Sequence, residues 1–156
     1  MESEAKIVDL IVSCVEKTSS ETLDKNPEND KKLKKSLRSR ARELPSELFS
    51  RGLAYVLAYI SSRGSLRIIE AGLKADSCDQ MLNTIKDSGK LSDTVFGYSV
   101  YGAILLLSLK KAGVVRGNKL SEVIREAMAR SEVEIAAQAY AEWIKRFVEA
   151  YIEVEE

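Results

Sequence analysis

Apolar residues recur every three or four positions along most of this chain, which is the spacing of one face of an α-helix. In residues 3–19 this face carries Ile7, Leu10, Ile11 and Cys14, and polar side chains occupy the opposite side. No segment shows the clean alternation of apolar and polar residues that marks a half-buried strand. The pattern predicts an all-α fold, a single-domain bundle of six to seven helices over residues 1–156.

Polar and helix-breaking residues divide the chain into segments. The polar stretch at 20–30 predicts a mobile loop. Pro45 predicts a helix boundary at Leu44, because the residue before a proline disfavours helix. Gly64, Gly89 and Gly113 suit helix ends. The predicted helices are 3–19, Asp30 to Leu44, 45–62, a short one near 65–75, another from Asp76 or Ser77 to Gly89, 93–112, and 119–130 with 131–153, either separate or joined by a bend.

Two of these helices are apolar on nearly every side, which predicts a central position in the bundle. They are the segments 45–62 and 93–112. We expect the glycines of GYSVYGAI, residues 97–104, to permit close helix packing. The last helix carries an apolar stripe that we expect to face inward, formed by Ile135, Ala139, Trp143, Phe147 and Val148.

The chain lacks two features that are common in catalytic sites. It has no histidine and no phosphate-binding loop motif, which removes the usual general base near neutral pH. Glu122 and Glu126 are one turn apart, but carboxylates at this spacing usually form a solvated helix face. We therefore expect no catalytic residue, no metal site and no cofactor, and we expect the protein not to be an enzyme.

Cysteine usage and hydropathy indicate a cytoplasmic protein. Cys14 and Cys78 form no CxxC pair, so a reducing compartment is the simplest setting. We expect Cys14, on an apolar face, to be an inert buried thiol. The N-terminus is acidic, unlike a signal peptide. The longest apolar run is about half the length of a membrane span, so no membrane association is expected.

Charge is strongly segregated although the chain is neutral overall, with 24 basic and 24 acidic residues. Residues 1–30 have a net charge of −5 and residues 121–156 also −5, whereas residues 31–74 have +8. A chain with a basic middle and acidic ends can present one surface to polyanions and another to basic neighbours.

The basic charge is concentrated in KKLKKSLRSRAR, residues 31–42, which holds seven bases and no acid. On a helix, five of these bases fall within an arc of about 100° beside the leucine seam, whereas Lys32 projects elsewhere. Like charges one turn apart cost a few tenths of a kcal/mol per pair, so binding to a phosphate backbone explains the pattern more simply than solubility does. The predicted RNA-binding residues here are Lys31, Lys34, Lys35, Arg38 and Arg42.

A run of basic residues can also serve purposes besides RNA binding. The basic residues could meet the acidic ends of the same chain, or a helical scaffold module could bind an acidic protein partner through them. Aromatic residues do not decide the matter. Tyr55 and Tyr59 are one turn apart, and Tyr140 lies near Trp143; bases can stack on such rings, but packing in the core is their commoner role.

Two segments resemble the small alpha-helical subunit of type III-B CRISPR RNA-guided effector complexes, the Cmr complexes. The segment LPSELFSRGLAYVLAYI, residues 44–60, is similar to a family helix with a proline, two apolar residues, Ser-x-Gly-Leu and Leu-Ala-aromatic. The segment AAQAYAEWIKRFVEAYIEVEE, residues 136–156, resembles the closing helix of the family, with a tryptophan, two bases and a phenylalanine. Together the two segments cover about a quarter of the chain, and residues 62–135 match little.

The resemblance implies a non-catalytic subunit in antiviral defence. Such a subunit stacks with copies of itself along the groove that holds guide RNA and target RNA, while other subunits of the complex cleave RNA. Lys145 and Arg146 are the basic positions that match the family, and the resemblance implies that they contact RNA.

Overall fold

The computed structural model describes residues 3–153, and these residues form eight α-helices and no strand. The all-α prediction is confirmed, but the expected count of six to seven is wrong. The difference lies partly at Arg130, whose extended backbone separates the last two helices. The helices are α1 (Glu4–Ser20), α2 (Pro27–Arg51), α3 (Leu53–Arg63), α4 (Leu66–Lys74), α5 (Cys78–Asp87), α6 (Asp93–Lys111), α7 (Leu120–Ala129) and α8 (Ser131–Tyr151).

The connection between α1 and α2 is shorter than the loop expected at 20–30. Asn26 caps α2, its side chain accepting hydrogen bonds from two backbone N–H groups, and Pro27 takes the first helical position, where its missing N–H costs nothing. Asp30 is therefore not the cap but lies in the first turn. Its carboxylate accepts backbone N–H groups of Leu23 at 2.7 Å and Asp24 at 3.2 Å. The mobility of this segment remains a prediction.

Pro45 does not end a helix, and the predicted boundary at Leu44 is wrong. The missing hydrogen bond is offset by burial, because Leu44 and Leu48 are almost fully enclosed on the same side. The helix ends instead at Gly52, whose φ of 89° strongly favours glycine. There Glu134 of α8 accepts the N–H of Leu53 with both carboxylate oxygens, at 3.0 and 2.9 Å, and so caps α3.

The two helices expected at the centre have different positions. In α6 every residue from Phe96 to Leu109 is buried, and α2, α3, α4 and α8 pack around it, which confirms the prediction. The segment 45–62 is divided between α2 and α3 and is not central. Phe49 is 78% exposed and Tyr55 is 45% exposed. Apolar periodicity overestimated its burial because an exposed aromatic looks the same in sequence as a buried one.

Close approach of helices to α6 requires glycine. A Cβ atom on Gly97 would lie 2.2 Å from Oγ of Ser36 in α2. On the other side, a Cβ atom on Gly72 of α4 would lie 2.1 Å from the carbonyl oxygen of Ala103. The expected role of the glycine at 97 in close packing is confirmed.

A disulfide bond between Cys14 and Cys78 joins α1 to the first residue of α5. Both residues are buried, as expected for Cys14, but the expectation of an unpaired thiol is wrong. The two residues are 64 positions apart, so no local spacing motif signals the pair. Only the packing of α1 on α5 brings their Cα atoms to 5.5 Å.

Helix α8 presents a different face to the core from the one expected. Of the predicted inner stripe only Val148 is buried, whereas Ile135 is 68% exposed and Trp143 is 37% exposed. Both sides of α8 carry apolar residues, so periodicity could not choose between them. The buried side consists of Val133, Ala137, Tyr140, Ala141, Ile144 and Val148.

Within residues 3–153 no helix is both long and apolar enough to cross a membrane.

Candidate nucleic-acid interface

The five basic residues predicted on α2 do lie along one side of that helix, and we call them the basic stripe. Lys31, Lys35 and Arg42 are exposed, while Lys34 and Arg38 are half-buried. The buried side of the same helix holds the leucine seam of Leu33, Leu37, Ala41 and Leu44. The projection from sequence therefore placed the cations correctly beside the seam.

The C-terminal part of α8 borders the basic stripe. Nε of Arg42 lies 3.3 Å from Oε2 of Glu149, and Nη1 of Arg146 lies 3.7 Å from Oε1 of the same carboxylate. Glu149 thus brings Arg146 next to the stripe. Lys145 is half-buried and forms no ion pair with any residue of the described chain. Sequence reasoning missed the pairing of Glu149 with Arg42, because the two residues are more than 100 positions apart.

Lys34 has a partner within its own helix. Its Nζ lies 2.8 Å from Oδ2 of Asp30, and both side chains are largely enclosed. Burial alone would raise the pKa of Asp30, but the hydrogen bonds from Lys34 and from the N–H groups of Leu23 and Asp24 hold that pKa below its usual range. Lys34 therefore anchors the start of α2 and is less available to a ligand than its neighbours.

The remaining cations of the stripe have no acidic partner among residues 3–153. These are Lys31, Lys35 and Arg38. Nε of Arg38 is shielded from solvent and has no hydrogen-bond partner within that range. Three neighbouring cations without counter-charges create a positive potential that attracts anions.

A surface cleft of about 400 Å³ lies at the N-terminal end of the stripe. Lys31, Lys34 and Lys35 form one wall of this cleft. The rest of the cleft is formed by Ser19 near the end of α1 and by Tyr151, Ile152 and Glu153 at and just after the end of α8. The ammonium groups on one wall make the cleft suitable for an anionic group.

The carboxylates considered as an alternative site have structural roles instead. Glu126 accepts the backbone N–H groups of Arg116 at 2.9 Å and Gly117 at 3.1 Å. Glu122 accepts those of Asn118 at 3.0 Å and Lys119 at 3.2 Å. The N–H groups of Asn118 and Lys119 hold the pKa of Glu122 below its usual range. Within residues 3–153 no group of three or more His, Cys, Asp or Glu residues could hold a metal ion.

Comparisons with known proteins identify the family of the chain. The family model described as CRISPR-associated protein (Cas_Cmr5) matches residues 4–151. No curated protein and no solved structure matches the chain significantly. Because the family match spans nearly the whole sequence, the chain belongs to the Cas_Cmr5 family and is a small subunit of Cmr (type III-B) CRISPR-associated complexes.

Proposed function

We propose that this subunit is non-catalytic and acts in antiviral defence by contacting guide RNA and target RNA through the basic stripe and α8. The observation that supports RNA contact best is the group formed by Lys31, Lys35 and Arg38. These three cations lie on one side of α2 without an acidic partner in the described chain. A row of cations binds a polyanion mainly by releasing its condensed counterions, and this needs no sequence readout.

The structure favours RNA over the acidic ends of the same chain as the partner of the stripe. The ends contribute Asp30 and Glu149, which pair with Lys34 and Arg42. The other three cations of the stripe keep their charge uncompensated by the described residues. Glu153 lines the cleft beside Lys31 and Lys35 but forms no ion pair with a described residue.

A non-catalytic role is supported by the use of the candidate carboxylates. Glu122 and Glu126 each accept two backbone N–H groups, so both carboxylates already have a structural role. Without histidine, a hydrolytic site would have to use other carboxylates or lysines as base. RNA cleavage in the assembled complex would then belong to other subunits.

Stacking with copies of itself is the third part of the proposal. Two features support it: the segregation of charge along a neutral chain, and the exposed apolar residues of α8, Ile135 and Trp143. The ring of Trp143 stacks on Phe147 at 5.5 Å, which holds it in a fixed orientation on the surface. Where exposed apolar residues form a contiguous patch, the patch commonly marks a protein contact.

The RNA-binding proposal can be tested with the triple variant Lys31→Glu, Lys35→Glu and Arg38→Glu in the assembled Cmr complex. It spares Lys34 and Arg42. A glutamate at either position would lie beside the carboxylate with which the native residue pairs, Asp30 or Glu149. RNA affinity should fall, and the slope of log affinity against log salt should flatten by about 0.7 for each phosphate of a single strand that the variant no longer neutralises. Unrelated RNA sequences should be affected alike, because phosphate contacts carry no base information.

Lys32→Glu is the matched control, since Lys32 is exposed on the same helix but outside the stripe. It should change RNA affinity much less than the triple variant. If the triple variant assembles normally and binds RNA with unchanged affinity and salt slope, the stripe is not an RNA contact. If instead the triple variant fails to enter the complex although it is folded, the stripe binds an acidic protein partner, as in the scaffold hypothesis.

A further inference from the structure

Two tyrosines of α3, Tyr55 and Tyr59, and one of α6, Tyr98, meet where α2, α3 and α6 adjoin, and we call them the tyrosine platform. The rings of Tyr55 and Tyr59 are nearly parallel, with centroids 6.3 Å apart and an interplanar angle of 14°. Tyr98 meets Tyr59 edge-on at 5.7 Å. Tyr55 is 45% exposed, so the platform is open to solvent at one end.

An arginine lies over each ring of the platform. All three guanidinium carbons are within the roughly 6 Å over which a cation is attracted to an aromatic face. Each ring is thereby held in place, which lowers the entropy cost of ordering it for a ligand. The pairs are Arg51 over Tyr55 at 4.7 Å, Arg63 over Tyr59 at 5.4 Å and Arg40 over Tyr98 at 4.5 Å.

A surface pocket of about 430 Å³ opens beside Tyr55 and Tyr59, within the usual size range of small-molecule sites. Two carboxylates line it, and each is paired with an arginine of the platform: Glu43 with Arg40 at 3.1 Å and Glu47 with Arg51 at 3.3 Å. The other lining residues are Leu44, Ser46, Arg51 and Val56.

We infer that the tyrosine platform is a second RNA contact, which stacks on an unpaired nucleobase and holds that base in the adjoining pocket. The inference rests on the proposed function, since it assumes that the subunit lies against RNA. Aromatic rings and guanidinium planes are the surfaces on which proteins stack the bases of single-stranded RNA. Tyr98 is buried and belongs to the core, whereas Tyr55 leaves nearly half of its surface exposed, so a base would reach the platform at Tyr55.

The charges of the pocket favour a base over a phosphate. Glu43 and Glu47 partly neutralise Arg40 and Arg51, and both carboxylates would repel a phosphate placed between them. Carboxylate oxygens can instead accept a hydrogen bond from an exocyclic amine such as N4 of cytosine. Nε of Arg40 is shielded and has no hydrogen-bond partner within residues 3–153, so the site is not fully satisfied by the protein alone.

The platform and the basic stripe lie on different sides of α2. Arg38 of the stripe and Arg40 of the platform are two residues apart, which turns their side chains by roughly 200° around the helix. The sites therefore share no side chain and can be altered separately. They should also respond differently to salt, because stacking on a base releases no counterions whereas a phosphate contact does.

The inference is tested by Tyr55→Leu in the assembled Cmr complex, with affinity for an unstructured cytidine-rich RNA measured at several salt concentrations. Removing the ring on which a base stacks should weaken binding by about fivefold or more and leave the salt slope unchanged. Tyr55→Phe should keep wild-type affinity, because it retains the ring. An RNA with abasic sites should bind wild-type and Tyr55→Leu complexes equally.

Phe49→Leu is the matched control, since Phe49 is an exposed aromatic of α2 outside the platform. Unchanged affinity of Tyr55→Leu for cytidine-rich RNA would overturn the inference. So would absence of the Tyr55→Leu subunit from the complex, which would make the platform a protein contact. If the stripe variant binds RNA normally but Tyr55→Leu binds it weakly, the platform contacts RNA and the basic stripe does not. If the stripe variant binds RNA weakly and Tyr55→Leu binds it normally, only the stripe contacts RNA.

Discussion

The basic stripe on α2 and the connection from α6 to α7 both carry several charged side chains, but they use them in opposite ways. In the connection, Glu126 and Glu122 accept backbone N–H groups, and Nζ of Lys110 donates to the carbonyl oxygens of Arg116 and Gly117 at 2.7 and 3.0 Å. In the stripe, Lys31 and Lys35 have no such partner in the described chain. Charge that is satisfied internally supports the fold, and charge that is not remains available to a ligand.

Removing a carboxylate from the connection should have the largest effect on stability. Glu126→Ala leaves the N–H groups of Arg116 and Gly117 without their acceptor, and hydrogen bonds to charged groups contribute about 1.5–3 kcal/mol each. Because Arg116 is exposed and water can replace its acceptor, we expect the free energy of unfolding to fall by less than the sum of two such bonds, about 2–3 kcal/mol by urea denaturation. RNA affinity should be unchanged in complexes that assemble.

The control for this change is Glu132→Ala. Glu132 and Glu126 both approach Arg130, at 3.6 and 3.4 Å, but Glu132 is more exposed and accepts no backbone group of the connection. Its removal should cost well under 1 kcal/mol. Equal destabilisation by the two changes would mean that the backbone contacts of Glu126 do not support the connection.

Glu149→Gln should increase the unpaired positive charge at the stripe. The change removes the shared partner of Arg42 and Arg146, which leaves both guanidinium groups free to bind phosphate. We expect RNA affinity of the complex to rise about two- to fivefold, with a salt slope steeper by about 0.7 for each additional phosphate that is neutralised. Stability should change by less than about 1 kcal/mol, because surface ion pairs contribute little.

Weaker RNA binding by Glu149→Gln would show that Glu149 positions the two arginines for RNA and does not compete with it. Glu132→Gln is a suitable control. Glu132 lies in the first turn of the same helix, about 25 Å from Glu149 along its axis, and pairs with Arg130.

The smallest effect is expected at Asp30, which pairs with Lys34 of the stripe. The pKa of Asp30 is lowered in the folded state, so the ionised carboxylate contributes stability above its ordinary pKa of about 3.9. That contribution is lost as the pH falls through the lower folded-state pKa. The difference in urea midpoint between the wild type and Asp30→Asn should be constant above about pH 5 and shrink below pH 4.

A stability difference that stays constant down to pH 3 would mean that Asp30 acts through its shape and not through its charge. Asp9→Asn provides the control, because it removes an exposed carboxylate of α1.

Local signals in the sequence predicted some helix ends but not others, since Pro45 and Asp30 do not mark the boundaries expected of them. Ser77 and Ser92 cap α5 and α6 through their side chains, and the continuous apolar run of α6 placed it at the centre. The side of α8 that is buried could not be predicted, since apolar residues occupy more than one side. The capping of α3 by Glu134, 81 positions away from Leu53, depends on tertiary packing and has no signature in the sequence.

The candidate site likewise has features that the sequence indicates and features that depend on helix packing. The basic stripe was visible because all five residues lie within one helix. The pairing of Arg42 with Glu149 and the meeting of Tyr59 with Tyr98 depend on how α8 and α6 pack. The sequence therefore indicated where positive charge would lie, but not how much of it would remain unpaired.

The disulfide between Cys14 and Cys78 makes this subunit a covalent ring with two tails. Residues 14–78 form the ring, which includes the whole basic stripe and two of the three platform tyrosines. A single backbone cut inside the ring, for instance between α1 and α2, would open the loop without separating the polypeptide into two molecules. The stretches of chain proposed to touch RNA would thus stay tethered to each other after a nick that would release a fragment from an uncrosslinked helical bundle.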